Sequence, residues 1–195
     1  MPTRRPTAQL IGCHLLALVT VLLIAVVPSD AAGFGSQGQL WTRAGVANIN
    51  SAAPTAAGWW GPSVETGLVV DVGDFWRLTA DAGISHHFQR TIDDTPQGPH
   101  TVVSTALGAR YALDIITYVP YVGLAGVIHP MGAPTSVAPE GELFSLRATV
   151  GLDYRLNREW SLGAAVDLHV PVTEPSDAPH YSSAGFHIGY HFRRF

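Results

Sequence analysis

One stretch of the chain shows the alternation that decides the fold: residues 160–170 read Trp-Ser-Leu-Gly-Ala-Ala-Val-Asp-Leu-His-Val. Every second residue from Trp160 to Val170 is apolar, whereas the residues between them are small or polar and include Asp167 and His169. A period of two places successive side chains on opposite faces of a β-strand. The stretch therefore predicts a strand with one apolar face and one polar face.

The same alternation fills most of the chain. Seven further stretches show it, and in each of them the apolar row, which is every second residue counted from the first, contains no acid, arginine or lysine: Leu40–Val46, Val64–Val72, Leu78–Phe88, Val103–Leu113, Tyr118–Ile128, Phe144–Tyr154 and Ala184–Phe192. The opposite faces carry many glycines and these charged residues: Arg43, Glu65, Asp71, Arg77, Asp81, Arg110, Arg147, Asp153, Arg155, Asp167 and Arg193. The pattern predicts an all-β protein of eight strands.

The lengths of the strands and of their connections favour a barrel that spans a membrane. Strands of about 9–13 residues are long enough to cross a bilayer at a tilt. Long connections alternate with short ones, as in outer-membrane barrels. The long ones are 50–62, 89–99, 130–142 and 171–179, and the short ones are 73–75, 114–117 and 157–159. We therefore predict an eight-stranded antiparallel up-and-down transmembrane β-barrel, with lipid against the apolar rows and both termini in the periplasm.

The N-terminus has the order of a bacterial secretory signal. Arg4 and Arg5 precede an apolar run over residues 15–27, and Ser29 and Ala31 stand at the −3 and −1 positions of a cleavage site. We predict a signal peptide over residues 1–31, an N-terminal segment over 32–38 and an outer-membrane β-barrel over 39–195. The single cysteine, Cys13, lies within the predicted signal.

Composition excludes several classes of protein. The 195 residues are 47% hydrophobic with a net charge of −4, which does not fit a disordered chain. One cysteine excludes a disulfide scaffold. The acidic balance, without a basic patch, argues against nucleic-acid binding. We expect that the protein binds no cofactor and that it is a monomer.

Two features resemble the small eight-stranded outer-membrane barrels, such as the OmpA transmembrane domain and OmpX. Residues 117–126, Thr-Tyr-Val-Pro-Tyr-Val-Gly-Leu-Ala-Gly, are similar to a Pro-Tyr-x-Gly-x-Gly strand of that superfamily. The final Phe195 resembles the terminal aromatic residue that the outer-membrane assembly machinery recognises, although Phe192 is the residue in phase with the last row. The resemblance implies a Gram-negative outer membrane, with that machinery, membrane lipids and lipopolysaccharide as partners.

The predicted lumen is just wide enough for side chains. Five inward acids and six inward arginines come close to balance, so we expect an ion-paired network that fills it. A structural or surface-interaction role follows, and a narrow channel is the alternative. Aromatic residues mark the two ends of the barrel: Trp76, Tyr118, Trp160, Tyr190 and Phe192 at one, and Phe88, Phe144 and Tyr181 at the other.

Histidines collect at the strand ends next to the long connections. Alternation turns His87, His100, His129 and His169 inward, with Asp167 one pleat below. Imidazoles that converge with a carboxylate could bind zinc, copper or nickel. Such binding would weaken at acid pH, because protonated imidazole cannot ligate a metal. The alternative is a polar rim that uses histidine.

The segment His180-Tyr-Ser-Ser-Ala-Gly185 is similar to the His-x-Ser segment of lipid A deacylases, which are also outer-membrane barrels. The resemblance implies that His180 acts as a base for a Ser182 nucleophile. Serine needs such an adjacent base because its hydroxyl is a weak nucleophile. An orienting acid after the segment is absent from the sequence, and the segment opens the last strand. A hydrolase is therefore a second alternative, and we expect no catalytic site.

Overall fold

A computed structural model describes residues 37–50, 59–88, 90–92, 95–97, 99–114, 117–129, 143–172 and 180–193. All regular structure in these ranges is β-strand. The predicted signal peptide over residues 1–31 and the terminal Phe195 lie outside them.

Eight strands form a closed barrel in which each strand pairs antiparallel with its neighbours. They are β1 (Gln37–Asn50), β2 (Trp59–Asp71), β3 (Trp76–His87), β6 (His100–Ala112), β7 (Tyr118–His129), β8 (Leu143–Arg155), β9 (Trp160–Pro171) and β10 (His180–Arg193). The last strand, β10, pairs with β1 and closes the barrel. The prediction of an all-β, eight-stranded antiparallel barrel is confirmed.

The apolar rows face outward, as the alternation predicts. Leu107, Leu124 and Phe186 are 67%, 68% and 79% exposed, while the neighbouring inward residues Arg110 and His187 are buried. Ala80 departs from its row, since this small outward residue is only 6% exposed. A closed barrel with an apolar outside and a charged inside fits a lipid environment, because closure leaves no strand edge unpaired.

Among the described residues, no helix is long and apolar enough to cross a membrane.

Two of the long connections differ from the prediction. The first was expected to run to residue 62, but β2 begins earlier, at Trp59, and Pro62 lies within it opposite Val46. The second contains a short hairpin of β4 (Arg90–Ile92) and β5 (Thr95–Gln97) that is separate from the barrel. Proline weakens a strand signal because it cannot donate a ladder hydrogen bond, which explains the late start predicted for β2.

The short turns match the prediction more closely. In the turn between β8 and β9, the Asn157 side-chain oxygen accepts hydrogen bonds from the backbone N–H groups of Glu159 and Trp160, both at 2.8 Å. The Leu156 N–H donates to the Trp160 carbonyl at 3.0 Å. Asparagine stabilises tight turns in this way because its side chain stands in for a backbone acceptor.

Candidate functional site

The inward side chains form layers between the two ends of the barrel. One end, the turn end, carries the short turns, the start of β1 and the end of β10. The other, the loop end, carries the long connections. Arg43, Glu65, Asp81, Arg147 and Asp167 are all buried, so the interior holds charge that the membrane-facing surface excludes.

A central cluster joins Arg43, Glu65, Asp81, Arg147 and Asp167. Arg43 pairs with Glu65 at 2.5 Å and also with Asp167. Arg147 donates to both carboxylate oxygens of Asp81, at 2.9 and 2.5 Å. The planar guanidinium matches the two carboxylate oxygens, a geometry that lysine lacks. Because β6 and β7 separate β3 from β8, the Asp81–Arg147 pair crosses the barrel interior.

A turn-end cluster joins Asp71, Arg77, Asp114 and Arg155. Arg77 donates through Nε to Asp71 at 2.9 Å and through Nη2 to Asp114 at 2.7 Å, and Arg155 also donates to Asp114. Asp114 belongs to the turn after β6, so one carboxylate links this turn to β3 and β8. The prediction placed Asp114 in a short connection and gave it no role in the interior.

Between these clusters, aromatic and imidazole rings pack among the charges. His187 donates through Nε2 to Asp153 at 2.5 Å, and its ring lies 6.2 Å from that of Trp41. The Arg110 guanidinium lies over the Tyr121 ring at 4.6 Å instead of pairing with a carboxylate among the described residues. A cation over an aromatic face is an alternative to an ion pair for a buried arginine.

Glycines provide the space for these long side chains, as expected. A Cβ at Gly83 would lie 2.5 Å from Glu65 Cγ, and one at Gly151 would overlap the Tyr121 ring. The space left over includes a cavity of about 30 Å³ lined in part by Arg110 and His187. Room for about two water molecules remains in a cavity of this size.

The histidine layer, made of His87, His129, His169 and Tyr181, lies at the loop end. The Tyr181 ring is 4.7 Å from the His169 ring, 6.0 Å from that of His129 and 6.1 Å from that of His87. Tyr181 was expected to mark an aromatic girdle, and that is wrong. It sits at an odd position, opposite in phase to Phe186, so its ring turns inward among the histidines.

The structure separates the predicted metal candidates into two groups. His87 donates through Nδ1 to the Trp59 carbonyl at 2.9 Å and accepts from Ser85 at 2.9 Å. Asp167 accepts from Arg43, Thr149 and Ser183. Both side chains therefore have their hydrogen-bonding groups engaged.

The other two candidates, His129 and His169, lie together, with ring centroids 5.8 Å apart. The side chain of His100 lies outside the described residues. Within the described part of the chain, no group of three or more His, Cys, Asp or Glu side chains could hold a metal ion.

The two hydrolase candidates, His180 and Ser182, share the outward face of β10 at the loop end. His180 is exposed and Ser182 is half-buried. Ser182 lies opposite Asn48 on β1 and Leu168 on β9. Among the described contacts, no hydrogen bond joins His180 to Ser182 or either of them to an acid. Within the described part of the chain, no base contacts Ser182.

Sequence reasoning missed several interior residues, namely Trp41, Asp114, Tyr121 and His187. Their positions carried a usable signal, because Trp41 and His187 have the parity of the arginines on their strands and Tyr121 has the parity of His129. Interior roles were assigned mainly to charged residues, so these aromatic and imidazole rings were overlooked. An aromatic or imidazole side chain at an inward position is expected wherever a small barrel must fill its lumen.

The closed eight-stranded barrel, the outward apolar rows and the buried charges define the fold of the small outer-membrane β-barrels. Three solved structures of this kind are similar to the chain. Neisserial surface protein A has a TM-score of 0.58 at 15% identity, over 82% of this chain and 98% of that protein.

The other two structures come from Pseudomonas aeruginosa. The outer membrane protein OprG has a TM-score of 0.54 at 14% identity, over 80% of this chain and 97% of that one. The N-terminal β-barrel domain of OprF has a TM-score of 0.52 at 15% identity, also over 80% and 97%. No family model and no curated protein sequence matches the chain. At these identities the likeness is one of fold.

Proposed function

We propose that this protein is a Gram-negative outer-membrane barrel with a structural or surface-interaction role, whose lumen is closed to ion flow by its side-chain network. The observation that carries the proposal is the pair of Asp81 and Arg147, which crosses the interior between β3 and β8 at 2.9 and 2.5 Å. An open pore needs a continuous water path, and buried ion pairs across the lumen interrupt one.

The layers on either side of this pair support the same role. Asp153 and His187 lie toward the turn end, and Arg77 and Asp114 lie closer still to that end. Tyr181 lies on the other side of the pair, toward the loop end. Each carries a hydrogen bond, ion pair or ring contact with another interior residue. An interior packed at several levels fits a rigid wall in the membrane better than a channel.

Planar-bilayer recording tests the closed lumen. The parent protein should show no resolved conductance steps, because the central cluster fills the barrel. The double variant Asp81→Ser/Arg147→Ser removes two long side chains together, which avoids leaving one buried charge unpaired. We expect this variant to conduct.

The matched control is Arg155→Ser. It shortens an arginine that is 37% exposed at the turn end and leaves the central cluster intact. It should remain as silent as the parent. Regular conductance steps from the parent protein would contradict the closed lumen and favour the narrow-channel alternative.

A separate experiment tests the location and the orientation. Ser136→Cys places a thiol in the long connection between β7 and β8, and Arg158→Cys places one in the short turn between β8 and β9. In intact cells a membrane-impermeant maleimide should label the first variant, and it should label the second only after the outer membrane is permeabilised. The opposite result would reverse the orientation, and labelling of neither in intact cells would contradict a surface-exposed loop end.

A further inference from the structure

The histidine layer contains a buried imidazole without hydrogen-bond partners. His169 is 2% exposed, and neither of its ring nitrogens has a partner among the described residues. A buried polar group that lacks a partner costs about 1–3 kcal/mol, so native proteins nearly always satisfy such groups. His169 therefore marks a place where a water molecule or a small polar or charged ligand would satisfy the imidazole.

A second imidazole stands beside it. His129 is 5% exposed, its Nε2 contacts Ser145 Oγ at 3.1 Å, and its Nδ1 has no hydrogen-bond partner among the described residues, although the Val103 backbone is near. The two ring centroids are 5.8 Å apart. Two imidazoles that share one metal ion at about 2.0–2.1 Å place their centroids roughly 5–6 Å apart.

The central cluster places charges of both signs next to this position. Arg43 and Arg147 supply two positive charges against the three carboxylates of Glu65, Asp81 and Asp167. Arg147 lies directly opposite His169 across the β8–β9 pair, and Asp167 is two residues before it on β9. Because Arg147 is the residue opposite His169, the charge of the cluster does not draw a cation to the layer, and ligation there depends on the imidazole nitrogens.

The other two residues of the layer, His87 and Tyr181, take no part. His87 uses both ring nitrogens on Trp59 and Ser85. The Tyr181 ring contacts the rings of both His87 and His129. Among the described side chains, the site is thus confined to His129 and His169, with water in the remaining coordination positions.

We propose that His129 and His169 form an internal site for one transition-metal cation of the class that imidazole binds, with Zn²⁺ as the representative ion. Imidazole nitrogen suits Zn²⁺, copper and nickel, whereas Mg²⁺ and Ca²⁺ prefer oxygen ligands. Metal binding satisfies ring nitrogens of His129 and His169 that have no hydrogen-bond partner among the described residues. Two protein ligands give a weaker site than the closed four-ligand sites of structural zinc.

Calorimetric titration of the folded barrel in detergent tests the site. The protein must carry no polyhistidine tag. One equivalent of Zn²⁺ per barrel should bind more tightly than any further Zn²⁺ on the surface, and this first equivalent is called the tight equivalent below. Mg²⁺ under the same conditions should give no such heat. His169→Asn and His129→Asn should each weaken this equivalent at least tenfold.

The matched control is His87→Asn, which removes an imidazole from the same layer that is already engaged by two partners. It should leave the tight equivalent unchanged. No tight equivalent in the parent, an unchanged isotherm in His169→Asn, or an equal loss in His87→Asn would overturn the proposal.

Folding of each variant is checked by its heat-dependent migration on a detergent gel. If the asparagine variants do not fold, nitrogen NMR of the parent imidazoles decides the question. Zn²⁺ must then shift the ring-nitrogen signals of two buried histidines at one equivalent, and unshifted signals would overturn the proposal.

Discussion

Leu107 and Leu113 face outward at different heights on the barrel wall. Leu107 lies within β6 and is 67% exposed, whereas Leu113 follows the end of β6 and is 41% exposed. Arginine on a lipid-facing strand costs about 2–4 kcal/mol at the bilayer midplane and about 0–1 near the interface. Leu107→Arg should therefore lower the free energy of unfolding in liposomes by about 2–4 kcal/mol.

Leu113→Arg is the depth control for this measurement. It introduces the same charge on the same face and should cost about 1 kcal/mol or less. Equal losses for the two variants in a denaturant titration would show that the wall at Leu107 does not face hydrocarbon.

Gly108, the next residue, shows a limit of the alternation pattern. Its inward parity predicts that Gly108→Ser is mild beside Leu107→Arg. The reason behind that expectation, that an inward position has room for a side chain, is wrong. A Cβ at Gly108 would overlap the Leu124 carbonyl oxygen and lie 2.7 Å from Ala125 Cα. Both atoms are backbone and cannot rotate away. Alternation assigns a face to a residue, but the approach of the neighbouring strand depends on the local twist.

At the scale of elements, Asp114 links one turn to two strands. It accepts from Arg77 on β3 and from Arg155 on β8. Asp114→Asn removes a charge shared by two arginines and should destabilise the barrel by about 1–2 kcal/mol, since the group is only partly buried. Urea unfolding midpoints at constant ionic strength measure the change.

Asp71→Asn is the control, because Asp71 pairs with Arg77 alone and its side chain is 29% exposed. We expect less than about 1 kcal/mol from it, as for an ordinary ion pair with one partly exposed partner. High salt should reduce both effects. If Asp71→Asn and Asp114→Asn lower the stability equally, the Asp114 carboxylate does not stabilise the barrel by bridging two arginines.

The strands were largely predictable, and their ends were not. Period-two alternation is long and regular between Leu78 and Ile84 or between Leu146 and Tyr154, so face and element type followed from it. Trp59 at the start of β2 was missed because the proline at position 62 weakens the local strand signal. The β4–β5 hairpin was missed because its three-residue strands are too short to show a period.

At the scale of the whole molecule, the sequence predicted which charges face inward but not their partners. Arg147 meets Asp81, which lies 66 positions earlier in the chain, and Arg43 meets Asp167. Such pairs depend on the stagger of the strands around the closed barrel, and no local pattern encodes that stagger. The same reason explains why His129 and His169 converge while His87 does not.

Closure of the barrel depends on how closely β1 approaches β10. Gly45 and Gly185 are register partners at this seam. A Cβ at Gly45 would overlap the Ala184 carbonyl oxygen and lie 2.6 Å from Gly185 Cα, so the strands leave no room for a side chain. Gly45→Val should therefore separate the seam. An open seam exposes unpaired backbone groups, which hydrocarbon does not tolerate.

Heat-modifiable migration on detergent gels measures that closure. The folded parent should migrate at a different apparent mass before and after boiling, and Gly45→Val should lose the folded band. Gly126→Val is the matched control, since the nearest atoms to a Cβ there are those of the Phe144 ring at 3.3 Å, a side chain that can rotate outward. It should keep the folded band. A folded band of normal intensity in Gly45→Val would mean that the β1–β10 seam tolerates a side chain and that closure does not rest on this contact.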